Sequence, residues 1–434
     1  MGLLNDNFKG QLDRLIAKNF PYIIFGLMAV FAMRDLGGYA INPLMITALT
    51  SIIAIILPYS TLLSYAAFML PLSCGIQSIT WVVILGCLLF KSEKIPVTAI
   101  IVYAIIAILE LIGLIQFESN AIIFKNVVFY LVSLFVIMYL VNDNNSGVDA
   151  KANSRYFIYG TAFLFVMIYG RLMMEESVVD IMEGMLRYDM EDIEKSGDYV
   201  FFTNANNIGL YSSVCFAALV MGNKRLNMPI WSYVISIVII AAGGMLSFSR
   251  TWLLLAALTL VFFVLFSSKN MGYVLFTVVI MVSIFLLINS EFFDSIYETF
   301  ETRLTDDDVE DGAGRTDLFR SYNEFFSLNP KYWLTGTGAV YYGQICQQPL
   351  SIHNSIQQLY ICYGAVGFVT FLVFFVNIFR NNKKYIRHII QYLPIVIYLI
   401  FAQTLQIVNP IYCMYPLVLA VYCLQIYKHS SYEL

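Results

Sequence analysis

The chain has 434 residues, of which 59% are apolar, with only 25 Lys/Arg against 29 Asp/Glu. Soluble domains carry about 25% charged residues, whereas this one carries 12% and holds 34 Phe and 30 Tyr. With a mean hydropathy of +0.74, these figures exclude a cytosolic enzyme, a disordered protein and a nucleic-acid-binding protein.

A membrane-spanning helix needs roughly 20 mostly apolar residues, and lipid admits only helices or closed barrels because every backbone N–H and C=O must be paired internally. Long apolar runs select helices. In chain order, spans are predicted at 20–34, 41–57, 59–74, 77–90, 95–115, 121–141, 155–173, 200–221, 229–247, 251–267, 271–289, 354–379, 389–408 and 411–427. The second to fourth are short and broken by Pro58, Pro71 and Gly75, so the fold class expected is an all-α polytopic membrane protein with 12–14 spans. Residues 1–19 mix charged and apolar residues at helical spacing, which reads as an interfacial N-terminal segment rather than a signal peptide. The seven cysteines show no metal-ligand spacing, and all but Cys346 lie in or beside apolar runs, as core residues do.

Orientation follows from the positive-inside rule. With the N-terminus inside, cytoplasmic segments hold fifteen of the 25 Lys/Arg, among them Lys91, Lys94, Lys151, Arg155, Lys224, Arg225, Arg387 and Lys428. The two longest outside segments are acidic: 174–198 carries nine Asp/Glu against two basic residues, and 290–352 carries eleven against four. Both termini are therefore expected in the cytoplasm. The predicted organisation is an N-terminal segment 1–19, spans one to eleven over 20–289 with an outer loop at 174–199, a large structured outer loop 290–353, three spans over 354–427 and a tail 428–434. A loop of more than sixty residues is too long for a mere connection.

Three outward segments carry unusual polar residues. In SFSRTW (247–252), Arg250 sits between two apolar spans, either as a functional charge at the membrane mouth or as a snorkelling side chain. In GAGRTDLFRSYNEFFSLNPKYWLTGTG (312–338), apolar residues recur at helical spacing from Leu318 to Phe326, which places Arg315 near a helix N-terminus, where an anion is favoured. The alternative for Arg315 is pairing within the acidic run 306–311. In SIHNSIQQLYICYGAVG (351–367), His353 and Asn354 open the twelfth span, and Gln357 and Gln358 continue the polar face inward. An imidazole there can take a proton from a hydroxyl or serve structurally. No DxD pair, Walker loop, GxSxG or CxxC stands out, so no metal or nucleotide cofactor is expected and the substrate should arrive already activated.

This order of an SR dipeptide opening a span, a long outer loop with GR followed by NPKYWLTGTG, and HN leading into a span that continues as YGAVG resembles the C-terminal signature of the bacterial O-antigen polymerase (Wzy-type) and O-antigen ligase superfamily. The resemblance covers roughly residues 200–375. It implies a GT-C-like, metal-independent membrane glycosyltransferase of the bacterial inner membrane, whose donor is an undecaprenyl-diphosphate-linked oligosaccharide; the acceptor is a second such unit for a polymerase or lipid A-core for a ligase, and a chain-length regulator is a candidate partner. It also implies that Arg250 and Arg315 hold the lipid diphosphate and that His353 acts near the acceptor hydroxyl. Asn206 and Asn207, in TNANNIGLY, resemble a less specific element, and Arg320, Asn354 and Gln357 are expected to support substrate binding. A polymerase is favoured over a ligase by the Phe/Tyr/Ile/Asn-rich composition. A transporter is the alternative from another class, and Glu110, the one acidic residue noted inside a span, could equally make a structural hydrogen bond.

Overall fold

The computed structural model describes residues 2–115, 121–143, 145, 148–175, 201–266, 315–348 and 352–428. The expected span 271–289, most of the acidic loop 174–199, residues 290–314 and 349–351 of the long loop, and the tail beyond 428 lie outside the described residues. Among the described residues every regular element is a helix: α1 (Gly2–Asp35), α2 (Pro43–Ile56), α3 (Tyr59–Met69), α4 (Ser78–Lys91), α5 (Val97–Leu114), α6 (Ala121–Asn142) and α7 (Ala150–Glu175). They continue as α8 (Ala205–Leu219), α9 (Ile230–Leu246), α10 (Arg250–Phe266), α11 (Arg315–Leu328), α12 (Ser355–Asn382), α13 (Leu393–Phe401) and α14 (Tyr415–Leu424), with short helical turns between them. Among the described residues five helices are long and apolar enough to cross a bilayer, and six shorter apolar ones accompany them.

The helices sort into a core and a ring. All of α14, nearly all of α8 and the stretch Thr61–Met69 of α3 are buried. The ring turns large apolar side chains outward, with Phe90 94% exposed and both Tyr22 and Trp231 76% exposed. A surface of this kind is unfavourable in water and fits lipid. The molecule is an all-α polytopic membrane protein.

Two features depart from a simple row of spans. The N-terminal segment is not set off from the first span, since α1 runs unbroken through Pro21 to Asp35. At the other end of the chain, the apolar stretches 389–408 and 411–427 hold only the nine-residue α13 and the ten-residue α14 as α-helix, separated by irregular backbone. Irregular backbone survives at membrane depth only where protein groups satisfy it. Here they do: Ser355 N–H donates to the Ala402 carbonyl at 3.1 Å, Ser355 Oγ to that of Leu405 at 2.7 Å and Gln358 Nε2 to that of Asn409 at 2.8 Å.

Contacts separate the two ends of the bundle. At one end Lys91 Nζ reaches the carbonyls of Ile55 and Leu57, both at 2.6 Å, Arg155 that of Asn227 at 2.6 Å, and Lys428 that of Asp143 at 2.9 Å. At the other, Arg34 donates to the Gly75 carbonyl at 2.8 Å, Asp35 accepts from Phe201 N–H at 3.1 Å, and the Thr251 and Thr404 hydroxyls meet at 3.2 Å. The Lys/Arg-rich loops gather at the first end.

The segment after α11 folds back along α12. α12 is interrupted at Gly364, whose φ of +59° lies in the left-handed region that glycine adopts without strain. The backbone groups freed there pair with residues 333–338: Thr337 N–H donates to Ile361, Gly338 to Cys362, Ala365 to Trp333 and Val366 to Leu334, at 2.8–3.1 Å. A Cβ on Gly364 would lie 2.4 Å from the Leu334 carbonyl carbon, so the two strands of backbone touch. At 1.5 Å per residue this pairing lies roughly 10–15 Å along α12 from Ser355, which makes residues 333–340 a re-entrant loop.

Candidate functional site

Four helices begin in one neighbourhood. α8 is capped by Asn204, whose Oδ1 accepts from Asn207 N–H at 3.0 Å. α10 starts at Arg250, with Ser249 Oγ accepting from Trp252 N–H at 3.4 Å. α11 starts at Arg315. α12 follows His353 and its cap Asn354, whose Oδ1 accepts from Gln357 N–H at 3.0 Å.

The links between these starts are explicit. Gly209 of α8 lies against Ser249, and Thr251 meets Thr404 on the turn after α13. The same turn receives Ser355 N–H at Ala402 and, at 3.5 Å, Asn354 Nδ2 at the Gln403 carbonyl. The Arg250 hairpin and the His353–Asn354 entrance therefore lean on one turn. α11 joins through Gln357, whose Nε2 donates to the Phe319 carbonyl at 2.9 Å and to Asn323 Oδ1 at 3.2 Å. Further along, the Phe326 and Tyr360 rings pack at a tilt of 55° with centroids 5.0 Å apart. Since both sequence positions advance together, α11 and α12 run in the same direction, and Arg315 lies at the His353 end of the pair.

The expected site residues fall into distinct environments. The Arg250 guanidinium is half-buried and has no hydrogen-bond or ion-pair partner among the described residues, and His353 is half-buried at the entrance to α12. Asn206 is half-buried on the first turn of α8. Asn207 instead faces the core, where its Nδ2 donates to Thr203 Oγ1 at 2.9 Å and its Oδ1 accepts from Cys413 Sγ at 3.1 Å. Arg320 is exposed and pairs loosely with Asp317 at 3.5 Å. Gln357 is buried, and its Oε1 has no partner among the described residues.

Helix N-termini expose unpaired N–H groups and carry the positive end of the helix dipole. Gathered beside two arginines, they form a region suited to a phosphate or diphosphate. Among the described residues no three His, Cys, Asp or Glu side chains come together as a metal-ligand set, and the acidic run 306–311 lies outside those residues. Sequence reasoning passed over the turn 402–409, which seats both Arg250's hairpin and α12. Its signal was the run QTLQIVNP, four polar side chains and a proline inside an otherwise apolar stretch.

The fold and this arrangement define a polytopic membrane protein with an anion-suited mouth at one end of the bundle. Residues 235–372, about a third of the chain, match the family described as O-antigen ligase, and this match supports a relation to the O-antigen ligase and polymerase superfamily. The match begins in α9 and ends in α12, so it contains Arg250, Arg315 and His353 and leaves out Asn206 and Asn207. Neither a curated protein nor a solved structure matches the chain.

Proposed function

We propose that the chain is a surface-polysaccharide polymerase that moves a growing glycan from undecaprenyl diphosphate onto an undecaprenyl-diphosphate-linked repeat unit, at the periplasmic face of the bacterial inner membrane and without a metal. The observation that carries this reading is the convergence of the helix starts at Arg250, Arg315 and His353. Arg250 and Arg315 grip the donor diphosphate, whose negative charge grows as the glycosidic bond breaks, and charge-assisted contacts from two guanidiniums stabilise it. The acceptor hydroxyl oxygen bonds to the anomeric carbon, its proton passes to neutral His353, and undecaprenyl diphosphate leaves. Arg320 and Asn206, both accessible, together with Asn354 and Gln357, contact sugars or phosphate. Asn207 shapes the first turn of α8 beneath them.

In this reading the basic end faces the cytoplasm, and a chain-length regulator is a partner. The competing reading is a ligase that transfers finished glycan to lipid A-core, since the matched family is described as O-antigen ligase. Surface glycan from a strain lacking the protein separates the two: a single repeat unit on lipid A-core supports the polymerase, and none supports the ligase. Unchanged glycan would reject both. Purified protein should extend a lipid-linked repeat unit equally in EDTA and in Mg2+.

A further inference from the structure

Glu110 lies in α5, is 2% exposed and has no cationic partner among the described residues. A carboxylate inside a membrane bundle is costly unless its lone pairs are filled. Both oxygens are filled by backbone: Oε2 accepts from Ala339 N–H at 2.6 Å and Oε1 from Val340 N–H at 3.0 Å. Two adjacent donors call for a carboxylate, because a glutamine would turn its own NH2 toward one of them.

The segment Glu110 holds is connected on every side to the site. Thr337 and Gly338 N–H bind the carbonyls of Ile361 and Cys362 in α12, at 3.0 and 2.8 Å. Asn409 Nδ2 donates to the Ala339 carbonyl at 2.8 Å. Gln358 then grips the Asn409 stretch from both sides, donating to the Asn409 carbonyl at 2.8 Å and accepting from Val408 N–H at 3.0 Å. Gln358 is on the first turn of α12, and its own N–H binds the Asn354 carbonyl at 2.9 Å. The same re-entrant segment follows directly from α11, whose end is tied down by Trp333 Nε1 donating to Phe326 at 2.7 Å.

We infer that Glu110 is a positioning residue for the proposed glycan transfer: by clamping residues 339–340 it fixes the register between the helix that begins at Arg315 and the helix that follows His353. This inference rests on the reading above. Because a misplacement of about 1 Å between reacting groups costs up to about a hundredfold in rate, a clamp at this junction acts on turnover more than on binding.

The test uses Glu110→Gln and, as an independent break in the same chain, Asn409→Leu, each in full-length protein. Spin labels on cysteines at 324 and 356, both exposed positions, report the α11–α12 register without reference to activity. Both variants should broaden that distance distribution and lower kcat at least about tenfold per folded molecule, with KM for the lipid-linked donor changed less than about threefold. Glu110→Gln combined with His353→Ala should be no slower than His353→Ala alone, since both act on one step. An unchanged distance distribution, or a loss of turnover that merely follows the amount of folded protein, would overturn the inference. If wild-type protein fails to extend the lipid-linked unit at all, the functional reading fails, while the distance measurement still decides what Glu110 does.

Discussion

The side-chain amide of Gln357 donates to the Phe319 carbonyl at 2.9 Å, and this bond joins the first turn of the helix behind His353 to the helix that opens at Arg315. Without the bonds of this amide, α11 itself would touch α12 through aromatic packing at Phe326 and Tyr360, and only the backbone pairing of residues 333–338 beyond its end would hold it in register.

Gln357→Leu keeps the volume and removes the donor. Losing a buried hydrogen bond and stranding its acceptors costs about 1–3 kcal/mol, so polymer made by membranes of matched protein content should fall about tenfold or more, with a modest drop in unfolding temperature. Full polymer output from this variant would show that α11 is held some other way.

Arg250 and Arg315 call for a matched pair of substitutions. Each Arg→Ala should abolish polymer while the protein stays in the membrane, since a lost charge-assisted contact to diphosphate costs a few kcal/mol, about a hundredfold in rate. Each Arg→Lys should restore only part, because an ammonium cannot make the two-pronged contact of a guanidinium. Gel analysis of surface glycan against protein amount reads both. Wild-type polymer from either alanine variant removes that arginine from the site.

The helices were legible because lipid demands apolar runs, and α5, α6, α9 and α12 start and stop close to where hydropathy changes. The junctions were not. The pairing of residues 333–338 with 361–366 is made of backbone groups 24 or 32 positions apart, and backbone donors leave no mark in side-chain pattern beyond the glycines that permit close approach. The irregular backbone within 389–427 was hidden for a related reason: the apolar composition suits two spans, while Gln358 and Ser355, distant in sequence, supply the bonds that let residues 402–410 stay irregular. At the site, residue type and helix position pointed to Arg250, Arg315 and His353, but nothing local set Asn207, bound between Thr203 and Cys413, apart from the half-buried Asn206.

Gly364→Ala tests the re-entrant pairing directly. A left-handed φ costs a residue with a Cβ about 1–2 kcal/mol, and here that Cβ would sit 2.4 Å from the backbone at Leu334, so the loop must move away. The variant should unfold at lower temperature, and a cysteine placed at the buried Ala339 should become reactive to a thiol reagent. A variant as stable and as closed as wild type would contradict the pairing.

Sidedness and proton transfer meet in the last prediction. Cysteines at 250 and 353, in a cysteine-free background, should react with an impermeant reagent from outside the cell and be shielded by bound lipid-linked substrate, whereas cysteines at 94 and 384 should react only after the membrane is opened. His353 works as a base only while neutral. Turnover should therefore fall as the pH is lowered, with the slope of a single proton, and the residual activity of His353→Gln should lose that slope. The same pH profile in His353→Gln would assign the proton to another group. Labelling of position 250 or 353 only from the cytoplasmic side would separate the two segments from a periplasmic substrate and end the shared-site reading.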